Sequence, residues 1–143
     1  MTSTFDRVLD QVGDAVVSGT LAAGSRRSVD DLVAWTGASR SIVREAVRVL
    51  VALGLLTARR RVGVTVLDAD RWDVLDPRVV RWRLRGPDGD RVAVELRELR
   101  AAVEPAAAAA AARRAALDEC ADRREALRTT ADELAAAATR DDR

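Results

Sequence analysis

The stretch GASRSIVREAVR, residues 37–48, decides how the chain folds. Gly37 permits a tight turn, and Ser39 or Ser41 can cap the helix that follows and reach a phosphate. Setting Val43 at zero on a helical wheel, at about 100° per residue, brings Ala46, Val47, Leu50 and Leu53 onto one aliphatic face. Arg40, Arg44 and Arg48 fall on the neighbouring face as a row of three guanidinium groups. A helix with one greasy side and one arginine side, entered through a tight turn, is built to pack on its inner face and to meet a polyanion with its outer one. Arginines one turn apart can reach guanine O6 and N7 or the phosphate backbone. An ordinary amphipathic helix with surface arginines would account for the charges but not for the turn before them.

Upstream, residues 4–18 place Phe5, Val8, Leu9, Val12 and Val16 on one helical stripe, with Ser3 and Asp6 at a capping-box-like start and Gly19 at the end. A turn-like segment, LAAGSRR, follows. Ser28 then caps a short helix, VDDLVAWT, with Asp31 three residues on and Gly37 past its end. Downstream, GLLTARRRVGVTVL (54–67) is rich in Val, Leu and Thr around an Arg- and Gly-containing tip, which predicts two short strands at about 55–58 and 63–67. The order helix, helix, turn, helix, hairpin is that of a winged helix-turn-helix, here residues 1–67. The second helix of such a motif reads duplex DNA in the major groove. The wing arginines Arg59, Arg60 and Arg61 either enter a minor groove, lie along phosphates, or stand as solvated tip charges.

Composition agrees. The 143 residues suit one or two small domains, and 48% of them are hydrophobic, as a packed protein requires. All 24 basic residues are Arg. The net charge is only +1, but residues 26–61 hold eight Arg against three acids, a local +5, and the rest sums to −4. With three Trp, one Phe and no Tyr, stacking on single strands has little support, and duplex DNA is the better target. The lone Cys120 permits no internal disulfide, no stretch has the length of a membrane span, and no signal-peptide core is present, so a cytoplasmic protein with no membrane partner is expected. An enzyme is not expected: there is no His, the single Cys has no evident base, and no phosphate-binding Gly loop occurs.

Beyond residue 67 the composition shifts. Residues 68–89 read as a connector whose helix starts at Asp76 and Pro77 and stops at Gly86, followed by a turn at GPDGD. Residues 91–112 set Val92, Leu96, Leu99, Val103, Ala106 and Ala110 on a stripe, with Pro105 expected to kink or restart the helix. A last helix is expected at about 117–138. Trp72 and Trp82 read as packing between connector and winged domain rather than as a ligand box, Cys120 as a small buried apolar residue, and Arg97 and Arg100 as partners of Glu95, Glu98 and Glu104. The fold class is therefore mainly α with a small β-wing.

Four segments, VSGTLAAGS (17–25), ASRSIVREAVRVL (38–50), LGLL (53–56) and RRRVGVTV (59–66), resemble the N-terminal domain of the GntR family of bacterial transcription regulators. The Ser39–Ala46 core is the most specific of these. The resemblance implies that Arg40 and Arg44 contact operator bases, that Ser39 and Ser41 contact the backbone, and that Gly63 lies in the wing. Two departures stand out. Members of that family often carry Gly where this chain has Arg61, and the loop before the second helix is usually LPSEREL-like, whereas RRSVDDL stands here. Asp30 thus replaces a basic contact for which Arg26 or Arg27 is the available substitute.

RWDVLDPRVVRWRL (71–84) and ELRAAVEPAAAAAA (98–111) are similar to the start of the all-helical FCD effector domain of galactonate-type regulators in that family. The resemblance implies a pocket for a carboxylate effector, commonly through a metal held by one Asp and several His. A site built on imidazole cannot be assembled from a chain without His, and residues 90–143 supply only about two helices of that domain, an incomplete FCD-like segment. No metal or other cofactor is expected, and a small-molecule effector of the sugar-acid type is not expected to find a finished pocket. Helices with Ala-rich stripes bury themselves poorly alone and should pair with those of a second chain. The expectation is a homodimeric repressor on a palindromic duplex operator; the alternative is a truncated regulator that serves as a heterodimerisation partner, or an inactive gene remnant.

Overall fold

The structure is a computed structural model that describes residues 3–59, 62–115 and 127–131. By its contacts the chain divides into two compact units, residues 1–95 and 96–143.

In the first unit, α1 (Thr4–Val17) begins at Ser3, whose hydroxyl accepts from the Asp6 amide, and buries Val8, Leu9, Val12 and Val16. The two-residue strand β1 (Arg26–Arg27) leads into α2 (Val29–Thr36) and α3 (Arg40–Ala52), which pack as the helix pair the turn at Gly37 foretold. The hairpin strands β2 (Leu56–Arg59) and β3 (Gly63–Val66) follow, then a short 3-10 turn at Ala69–Arg71. The sheet is antiparallel with order β1-β3-β2; Thr57 faces Thr65, and Arg26 faces Thr65 from the other side.

The third strand corrects the sequence reading, which took residues 21–27 as turn-like. Two arginines carry no hydrophobic alternation, so β1 has no signature of its own. It exists because β3 offers an unpaired edge, and the pairing is prolonged by Val66 donating to Ser25 O at 3.0 Å and Gly24 donating to Val66 O at 2.9 Å.

Connector helix α4 (Pro77–Arg85) is capped by Asp76 and ends before Gly86, as its Asp-Pro start and Gly stop predict. Trp82 and Val79 lie in the same core as α1, α3 and the strands, at 1% and 0% exposure. Trp82 seats against Gly13 of α1 and donates from Nε1 to Asp10 Oδ1 at 2.9 Å. Asp10 also receives Arg81, and Asp14 receives both contacts of Arg85 Nη2 at 2.9 Å. These exposed ion pairs contribute about 0–1 kcal/mol each, so the buried indole dominates the docking of α4.

The helix α5 (Gly89–Ala115) starts within the turn read at 86–90. It runs on through Pro105 rather than restarting there. A proline removes one backbone donor, and the alanines at 106–112 have the highest helix propensity to offset that loss. In the second unit Leu99 and Val103 are exposed, Arg100 pairs with Glu104 at 2.6 Å, and residues 127–131 are helical. The helix expected at 117–138 lies mostly outside the described residues, as does Cys120. No helix among the described residues is long and apolar enough to cross a membrane, and no group of three or more His, Cys, Asp and Glu among them could hold a metal ion.

Candidate nucleic-acid interface

The turn between α2 and α3 is fixed from both sides. Gly37 closes α2 in the left-handed region at φ 66°, where a side chain would be strained. The buried Thr36 hydroxyl donates to Leu32 O at 2.7 Å and accepts from the Ala38 amide, while Arg7 of α1 donates to Thr36 O at 3.2 Å. Thr36 and Arg7 were not singled out from the sequence. Only the wide separation of Arg7 from residue 36 hid the link, since a buried Thr near a helix end regularly bonds the preceding turn.

Ser39 is the N-cap of α3, in extended conformation, with its hydroxyl accepting from the Ile42 amide and lying 3.1 Å from Ser41 Oγ. Both serines are exposed at the tip of the helix. Below them Val43, Ala46, Val47, Leu50 and Leu53 are all buried, as the wheel requires. Burying that face holds the neighbouring one out to solvent, so packing aims the arginines.

The three arginines of α3 have different surroundings. Arg40 donates from Nη2 to both carboxylate oxygens of Asp30, at 2.5 and 2.6 Å. Arg48 pairs with Glu45 on its own helix at 2.9 Å. Arg44 is exposed and has no ion pair or hydrogen bond among the described residues. Together with Arg48, Arg59, Gly63 and Val29, it lines an open groove of about 490 Å³ between α3 and the hairpin. The groove thus gathers Arg44, Arg48, Arg59 and Gly63; Arg40 and the two serines stand at the α2–α3 tip. Arg60 and Arg61 lie outside the described residues.

Gly63 sits at φ 92°, and a Cβ there would lie 2.6 Å from the backbone oxygen of Arg27. Its part is to let β3 pass close to β1. Arg26 and Arg27 are exposed on β1, where Arg27 Nη1 donates to Arg26 O at 3.0 Å. At the start of α2 the Ser28 amide donates to Asp31 Oδ2 at 2.7 Å, and the Asp31 amide to Ser28 Oγ at 3.0 Å, a complete capping box. The backbone donor, then the Ser28 hydroxyl, hold the Asp31 carboxyl below its ordinary value.

Residues 4–66 match the family of bacterial regulatory proteins, gntR family. The chain is 33% identical over 123 residues to the galactonate operon transcriptional repressor of Escherichia coli (strain K12), covering 85% of this chain and 54% of that protein. It is 34% identical over 76 residues to the HTH-type transcriptional regulator YieP of the same organism, covering 53% of this chain and 33% of that one. Among solved structures, S. agalactiae BusR in complex with its busAB-promotor DNA is similar at 15% identity and a TM-score of 0.47, over 83% of this chain and 55% of that one. The chain spans about half the length of the first relative and a third of the second. The capped recognition helix, the three-stranded wing and the family match over the same residues agree: residues 4–66 are a winged helix-turn-helix domain of the gntR family of bacterial regulatory proteins.

Proposed function

We propose that this chain is a sequence-specific, duplex-DNA-binding transcriptional repressor that acts as a homodimer on a palindromic operator. The observation that carries the reading is Arg44: an exposed, unengaged guanidinium on α3, beside the wing arginine Arg59. A cation without an acid partner among the described residues, on a helix held by a fully apolar inner face, is ready to donate to base edges without first breaking a contact. Ser39 and Ser41 at the helix tip suit phosphate contacts, Arg48 and Arg59 extend the basic surface, and Arg60 and Arg61 are assigned to DNA contact from the sequence alone. The repressor sense is supported by the name of the E. coli galactonate operon repressor. Homodimerisation is supported by Leu99 and Val103, one helical turn apart and 43% and 53% exposed, with Leu127 at 57%.

Gel shift on duplexes selected from a random pool, at two salt concentrations and with size measurement, tests this. Tight, salt-dependent binding of a defined sequence by a dimer is the expected result. A monomer that binds all duplexes equally would overturn it.

A further inference from the structure

Asp30 and Asp31 are neighbours at the start of α2 with separate duties. Asp31 is consumed by the capping box with Ser28. Asp30 takes no part in that cap; its carboxylate faces the next helix and holds Arg40 Nη2 with both oxygens. The pair is solvent-facing, with side chains 70% and 60% exposed, and sits beside the tip serines of α3. Nothing in the packing of α2 against α3 requires an ion pair there, since that contact is made by buried apolar residues such as Leu32, Val43 and Val47.

We propose that Asp30 is a positioning residue for DNA reading: it stays paired with Arg40 in the operator complex, fixes that side chain, and withholds its charge from phosphates. The proposal rests on the reading of α3 as the helix that meets duplex DNA. Its chemistry follows from the guanidinium. A guanidinium offers two fork-shaped edges, Nε with Nη2 and Nη1 with Nη2, and both include Nη2. With the Asp30 carboxylate seated on Nη2, the nitrogen common to both forks, a phosphate or guanine edge that uses either fork must compete with Asp30 there. A two-bond clamp by Arg40 is therefore opposed, while one directed bond from Nη1 or Nε to a base acceptor stays open.

Arg44, with no such partner among the described residues, keeps both forks. The two arginines therefore divide the work: Arg44 supplies the two-bond contact, and Arg40 a single bond in a fixed direction. Fixing Arg40 before binding removes part of the rotamer entropy that a free arginine loses on docking. The pair is also neutral, so in sequence-independent binding it displaces no counterion, and non-specific affinity is held down.

The test uses the full chain with Asp30→Asn, Arg40→Ala and the double variant. Each is titrated at several salt concentrations against two probes: a duplex selected by the wild type from a random pool, and a random-sequence duplex. For Asp30→Asn, affinity for the random duplex should rise about two- to fivefold, with a salt slope steeper by about 0.9, the value for one added phosphate contact. Affinity for the selected duplex should fall by a similar factor, so the preference between probes narrows. In the Arg40→Ala background the Asp30→Asn change should no longer alter that preference. A rise on the selected duplex equal to or larger than that on random DNA would make Asp30 a mere competitor for Arg40 and overturn the proposal. An unchanged preference shift in the Arg40→Ala background would overturn it too, because Asp30 would then act by bare charge. If instead the wild type selects no sequence at all, the DNA-reading role of α3 fails first, and Asp30 with it.

Discussion

Arg44 and Arg40 stand one helical turn apart on α3, yet among the described residues only Arg40 has an ion pair. Arg44→Ala should cost about 1–3 kcal/mol of affinity for a selected operator duplex with little loss of stability, checked by titration alongside thermal unfolding. Burial decides the second half of that statement, since an exposed arginine without a partner contributes almost nothing to folding. The Asp31 cap gives a pH prediction. A carboxylate whose folded value is lowered adds stability that is present above its ordinary value and lost as pH falls through the lowered one. Asp31→Asn should therefore be less stable than the wild type at about pH 7, and the difference should shrink as pH falls below the ordinary carboxylate range, as denaturant unfolding over a pH series would show. The Ser28, Asp31 and Gly37 signals were legible because a cap is local: three residues and the backbone between them. The Asp30–Arg40 bond was not, because it joins residues ten apart on two helices whose crossing only the fold supplies.

Among the elements, α1 to α4 were legible to within a residue or two, since each is written as a stripe bounded by a cap and a glycine. Strand β1 was illegible because its structure is borrowed from the edge of β3. The docking of α4 was half legible: Trp82 announced packing, but its seat did not. That seat is Gly13, buried in mid-helix, where a Cβ would come within 2.7 Å of three atoms of the indole. Gly to Ala in a helix interior ordinarily stabilises by about 1 kcal/mol, whereas forcing a packed ring aside costs about 1–3 kcal/mol. Gly13→Ala should therefore lower stability, and Trp82→Ala should lower it by about 3–5 kcal/mol. Tryptophan fluorescence during unfolding reads both Gly13→Ala effects, displacement of the ring and loss of stability. A more stable Gly13→Ala variant would show that α4 is not seated where the structure puts it.

At the scale of the whole molecule, the charge is arranged rather than abundant. A chain with net charge +1 keeps a local surplus of +5 over residues 26–61, where eight Arg meet only three acids, while acids on α1 receive arginines of α4. The proposed homodimer predicts that Leu99→Asp with Val103→Asp yields a monomer by light scattering, and that this monomer loses the cooperative grip on a two-half-site operator while still binding single half-sites weakly. An unchanged dimer would move the interface elsewhere. The sequence could name the stripe that carries Leu99 and Val103, but pairing between copies is a property of two chains and no single chain spells it out. The central claim, that the arginine face of α3 reads base edges from the major groove, is most directly tested by methylation interference at guanine N7 on a selected operator. Strong interference at a guanine in each half-site, lost specifically in Arg44→Ala, is the predicted result. Interference confined to the minor groove, or an identical N7 pattern for wild type and Arg44→Ala, would contradict it.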